Sequence, residues 1–181
     1  GALALSKNAE SEQCGRDQQG ADQPAQANEL GDPHDGARTP ENSTGTVSAA
    51  TGVQGGTVSV TSPAQGVGFF SRASLWNGSR QSWVDLHPAD PLVLHTVLAG
   101  MDSASQVGSY AVDSGGTFSG GRACMWSGTA GSFVDLNPVG IGSSEARGVF
   151  GNQQVGATFD TGLGLACMWT GSAASFVNLN P

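Results

Sequence analysis

Residues 1–56 contain no Phe, Trp or Tyr, and all 12 aromatic side chains lie between Phe69 and Phe176. A segment without large apolar side chains cannot bury enough surface to offset the entropy of ordering itself. The same segment holds eight of the 15 acidic residues and is rich in Gln, Ala, Gly and Asp. Residues 1–56 are therefore expected to form a disordered or linker segment, with at most a short helix over Ala2–Glu12. Residues 57–181 are expected to form the folded domain.

Basic residues are scarce too. The chain has 7 Lys and Arg against 15 Asp and Glu, a formal net charge of −8, and no lysine beyond residue 56. Nucleic-acid binders concentrate Lys and Arg on one face, and anionic membrane surfaces recruit the same residues. Neither is an expected partner. No apolar run approaches the length of a membrane span, so no membrane insertion is expected.

The residues of common catalytic sites are sparse. His34 falls in the aromatic-free segment, which leaves His87 and His95. The cysteines Cys14, Cys124 and Cys167 lack zinc-ligand spacing. There is no phosphate loop and no nucleophile elbow. No catalytic residue, metal or cofactor is expected.

What the chain does have is internal repetition. Ala73-Ser74-Leu75-Trp76-Asn77-Gly78 recurs as Ala123-Cys124-Met125-Trp126-Ser127-Gly128 and as Ala166-Cys167-Met168-Trp169-Thr170-Gly171. Seven residues after each Trp a second string opens: Trp83-Val84-Asp85-Leu86-His87-Pro88, Phe133-Val134-Asp135-Leu136-Asn137-Pro138 and Phe176-Val177-Asn178-Leu179-Asn180-Pro181. Between them, Ser105-Gln106-Val107-Gly108 matches Gln153-Gln154-Val155-Gly156. Matched elements in one order at one internal spacing define a repeat.

One unit reads as four short strands. In residues 122–160 these are Arg122–Trp126, Ser132–Leu136, Glu145–Phe150 and Gln154–Phe159, with Asn137-Pro138 stopping the second because Pro cannot donate to a ladder. The expected fold is all-β: tandem four-stranded antiparallel repeats forming a partial β-propeller-like array, with a disordered N-terminal tail. An open solenoid of stacked meanders is the competing architecture. A closed propeller takes four to eight blades. About two and a half units are expected here, the last cut off at Pro181, so a fragment is expected, with further repeats or further copies needed for closure.

Trp76, Trp126 and Trp169 fit a role as packing between neighbouring sheets, with a stacking platform for sugars as the alternative. Asp85, Asp135 and Asn178 fit turns in which the side chain binds the following backbone. A calcium-binding ring is the alternative, and the uncharged Asn178 weighs against it. Asp113-Ser114-Gly115-Gly116-Thr117-Phe118 reads as a hairpin turn resembling the Asp-box of sialidase-type propellers. Cys124 and Cys167 hold equivalent positions in successive units, too far apart for a bridge, and are expected as half-buried thiols. Only the first unit breaks the repeat with distinctive polar or aromatic side chains. Arg80, Trp83, His87, Asp90 and His95 are therefore the candidate binding residues.

The strings Ala-x-Met-Trp-Ser/Thr-Gly, Phe-Val-Asp/Asn-Leu-Asn-Pro, Ser144-Glu145-Ala146-Arg147-Gly148-Val149 and Gln153-Gln154-Val155-Gly156 resemble bacterial extracellular repeat proteins of the HAF type. The resemblance covers about Val67 to Pro181. It implies a secreted or cell-surface location and a β-propeller-like array, and no chemistry. The first unit departs from it at Trp83 and His87 and in the apolar run Leu92–Val97. The expected function is a non-catalytic extracellular scaffold or binding module, taking a polysaccharide or another protein through loops on one face. An incomplete part of a propeller-type glycan hydrolase or lyase is the alternative.

Overall fold

The computed structural model describes residues 40–44, 52–61, 69–113, 120–160 and 162–181. The expected tail up to residue 39 lies outside the described residues, as does the turn that follows Asp113. All described residues belong to one compact unit spanning Gly31–Pro181. Among them there is no α-helix, and the regular structure is twelve strands and one-turn 3-10 segments.

The strands form three four-stranded antiparallel sheets, each in chain order. The first holds β1 (Pro40–Thr44), β2 (Gln54–Thr61), β3 (Phe69–Trp76) and β4 (Val84–Asp85). The second holds β5 (Val93–Met101), β6 (Gln106–Val112), β7 (Arg122–Trp126) and β8 (Val134–Asp135). The third holds β9 (Ser144–Phe150), β10 (Gln153–Thr158), β11 (Leu165–Trp169) and β12 (Val177–Asn178).

This grouping corrects the phase of the expected unit. Residues 122–160 do not share one sheet: β7 and β8 close the second sheet, and β9 and β10 open the third. The segment after Asp135 carries the chain between sheets rather than around a hairpin. The described strands make three sets of four. The expected strand Ser132–Leu136 is a 3-10 turn, Ala130–Ser132, followed by the two-residue β8. The folded region also starts earlier than residue 57. β1 and the first residues of β2 fall inside the segment expected to be disordered. The reason is compositional: Pro40-Glu41-Asn42-Ser43-Thr44 carries no large apolar side chain, so absence of aromatics hid a strand that forms by pairing with β2.

Sheets stack through alternating side chains, since successive residues of a strand face opposite sides. Ala73, Leu75 and Leu86 of the first sheet pack against Val93, Leu98, Tyr110, Cys124 and Trp126 of the second. Ala123 and Leu136, on the other side of the second sheet, pack with Ala146, Cys167 and Trp169 of the third. The first strand of each later sheet lies on the sheet before it, β5 on β3 and β2, and β9 on β6 and β7.

Candidate binding groove

The turn after each repeated Trp is built the same way three times. Gly78, Gly128 and Gly171 adopt positive φ, which a side chain would oppose. Their N–H groups donate to Oε1 of Gln54, Gln106 and Gln154 at 2.8, 2.7 and 2.7 Å. Ser82, Ser132 and Ser175 close the turn from within. Each hydroxyl accepts from the residue after the Trp and donates to the carbonyl three residues upstream. A backbone so fully satisfied is held rigid at one end of the sheets.

At that end an open groove of about 370 Å³ runs between the β3–β4 turn, the β5–β6 hairpin and the β7–β8 turn. Its walls include Trp76, Asn77 and Ser82 from the first sheet, and Met101, Asp102 and Ser127 from the second. Asp102 anchors the hairpin. Its Oδ1 accepts the N–H groups of Ala104 and Ser105, and its Oδ2 accepts Gly151 N–H from the third sheet at 2.8 Å. Hydrogen bonding from Ala104, reinforced by Ser105 and Gly151, holds this carboxyl below its ordinary range.

The three repeated tryptophans differ in exposure. Trp126 and Trp169 are fully buried, against Phe133 and Phe176 at ring distances of 6.0 and 6.1 Å. Their indole N–H groups meet no acceptor among the described residues. Trp76 is only half-buried and opens onto the groove.

The candidate residues of the first unit do not converge. Arg80 is exposed in the turn Arg80–Ser82, beside the groove but not lining it. Trp83 is half-buried, with Nε1 donating to Ser74 Oγ at 2.9 Å. His87 is buried at the opposite end of the sheet, its ring nitrogens 3.2 Å from Thr96 Oγ1 and 3.0 Å from Val93 O. Asp90 is exposed and accepts Leu92 N–H at 2.9 Å. His95 accepts Ser71 N–H at Nδ1 and stacks on Phe70, and burial pushes its pKa down. These histidines join the first sheet to the second.

The acidic set lies in turns. Asp85, Asp135 and Asn178 accept the N–H two residues on, at 2.8, 2.7 and 2.9 Å. Asp85 also pairs with the buried guanidinium of Arg72 at 3.7 Å. Among the described residues no group of three His, Cys, Asp or Glu is placed to hold a metal ion. Cys124 and Cys167 are unbridged and fully buried rather than half-buried, each in a different inter-sheet core. Burial pushes the Cys124 thiol well up and the Cys167 thiol to about 11.

The groove is the feature sequence reasoning missed. Trp76 stood in the repeat string as one of three equivalents, and its distinctness lies only in what covers it. Among the described residues no helix is long and apolar enough to cross a membrane. Comparison of the chain with protein-family models, with curated proteins and with solved structures finds no match.

Proposed function

We propose that this chain is a non-catalytic extracellular module, secreted or on the cell surface, built from a propeller-like tandem repeat, and that it binds a glycan at the Trp76 groove. The observation that carries the reading is the exposure of Trp76 where its two register equivalents are buried. An indole edge or face open to a groove offers the apolar surface on which a pyranose ring stacks. Asn77 and Asp102 supply polar atoms beside it, of the kind that orient a ligand in a mostly apolar site. The rigid turns around it limit the ordering cost on binding. Groups suited to acid–base chemistry are spent elsewhere: the histidines link sheets, and Asp85 and Asp135 hold turns.

The test is a glycan array followed by calorimetry on any hit. The expected result is binding by the full chain and its loss in Trp76→Ala, with the β-sheet circular dichroism spectrum retained although the transition falls, because Trp76 packs on Val58, Val60 and Phe70. Binding undiminished in Trp76→Ala would remove the groove from the reading. Turnover of chromogenic glycosides would replace the non-catalytic reading with the hydrolase one.

A further inference from the structure

The third sheet presents an apolar face that its two predecessors bury. Leu86 and Leu136 are 0% exposed and Leu179 is 49% exposed. Val107 is 0% exposed and Val155, at the same register against Met168 as Val107 has against Met125, is 49% exposed. Ala73 and Ala123 are buried, and Ala166 is exposed. Residue type and register are the same at each position, so the difference comes from the neighbour.

That neighbour is the first strand of the following sheet, and it brings one polar contact each time. Ala73 N–H donates to Thr96 Oγ1 of β5 at 3.0 Å, and Ala123 N–H donates to Ser144 Oγ of β9 at 2.9 Å. The Ala166 amide points the same way. Its carbonyl accepts Leu179 N–H at 2.9 Å, as Ala73 accepts from Leu86 and Ala123 from Leu136, and in an antiparallel strand the N–H and C=O of one residue face one side. Among the described residues no hydroxyl stands opposite Ala166 N–H.

We propose that this face is a docking surface for one further four-stranded sheet of the same repeat, whose first strand sets a Ser or Thr hydroxyl against Ala166 N–H. The inference rests on reading the three sheets as units of one repeat. It continues an interface the chain already makes twice. A second copy of the chain fits less well. At the other end of the array Val58, Val60, Arg72 and Ser74 are buried and Trp76 is half-buried, so among the described residues that side does not match the exposed face of the third sheet. Two open faces set back to back would bring Val155, Val177 and Leu179 together and still leave Ala166 N–H without an acceptor.

The experiment extends the full chain after Pro181 with a second copy of its own residues 139–181, which places a duplicate of Ser144 at the hydroxyl position. The readouts are amide exchange at Ala166 and the thermal transition. The expected result is exchange at Ala166 slowed about tenfold or more, the effect of roughly 1.4 kcal/mol of added protection, with a higher transition temperature. Replacing the duplicated serine by Ala should return Ala166 to fast exchange while keeping most of the thermal gain. Leu179→Asp should abolish both effects in the extended chain and lower the transition of the 181-residue chain only slightly, because Leu179 is already half exposed there. Equal exchange with and without the extension overturns the proposal. So does a 181-residue chain that sediments as a dimer with Ala166 already protected. Glycan binding at Trp76 is measured separately, so docking without binding, or binding without docking, shows which reading has failed.

Discussion

Tyr110 is the one tyrosine of the chain, so its titration can be followed by near-ultraviolet absorbance without overlap from another phenol. Burial, then the negative charge of Asp135, pushes its hydroxyl up to about 12, while a hydrogen bond with Arg122 works the other way. A phenol raised in the folded state favours folding fully below the unfolded value of 10.0, and that contribution is lost as pH climbs through about 12. The expected titration has its midpoint near the upper value, and Asp135→Asn should lower it, because the carboxylate's charge is removed. A midpoint unmoved by that substitution would show that burial alone sets the value. His95 works in the acid range. Its lowered pKa means the folded state holds the neutral ring, so stability present above 6.5 falls as pH drops through the folded value. Urea midpoints measured down the acid range should show this loss, and His95→Gln should flatten it. The third sheet explains why the acidic position was half legible in sequence. Asn178 replaces Asp135 where Leu165 replaces Arg122. The negative and the positive side chain leave together, which no single string displays because they sit on different strands.

Within each element, the repeated string Gln-Val-Gly was visible as a match but silent about its work. Its Gln reaches out to hold the turn glycine, its Val fills an inter-sheet position at Val107 and stands half exposed at Val155, and its Gly admits a close strand. A Cβ on Gly108 would stand 1.8 Å from Val97 O, and one on Gly156 would stand 1.9 Å from Glu145 O. Both lie beside an irregularity in the strand they pair with, between Leu98 and Gly100 in one sheet and opposite Val155 and Gly156 in the other. A bulge of this kind turns the strand's backbone into the space a side chain would need. Gly108→Ala should therefore cost about 3 kcal/mol or more, since rigid backbone must move. Gly128→Ala meets no atom within 4 Å but forces a side chain to φ of +84, so about 1–2 kcal/mol is expected. Gly131→Ala, with open space and no such φ, should change stability little. Urea denaturation of the three variants gives the order, and a Gly108→Ala loss no larger than that of Gly131→Ala would show that β5 yields easily. Spacing alone revealed that glycine recurs, but bulge position depends on the partner strand and is not written in either string.

Across the whole molecule, the all-β class and the antiparallel strands were legible, and the grouping of strands into sheets was not. Matched strings fix how often a pattern returns, yet any cut through a repeating chain returns equally often. Which four strands share a sheet is decided by pairing: Leu136 N–H still donates to Ala123 O, and the next residues leave for Ser144, whose hydroxyl takes Ala123 N–H from the neighbouring sheet. The same contact couples stability to position in the array. Leu86 and Leu136 each fill a closed inter-sheet core, and Leu179, in the same string, is half exposed. Truncating a buried leucine removes its transfer energy and leaves a cavity, so Leu136→Ala should cost about 2–5 kcal/mol. Leu179→Ala leaves no cavity and should cost under about 1 kcal/mol. The two substitutions change the same side chain in the same local string, so propensity and turn chemistry cancel in the comparison and only the covering sheet remains. Equal losses in urea denaturation would mean that the third sheet is covered in solution, and the loss at Leu179 would then vary with protein concentration if the cover were another copy of the chain.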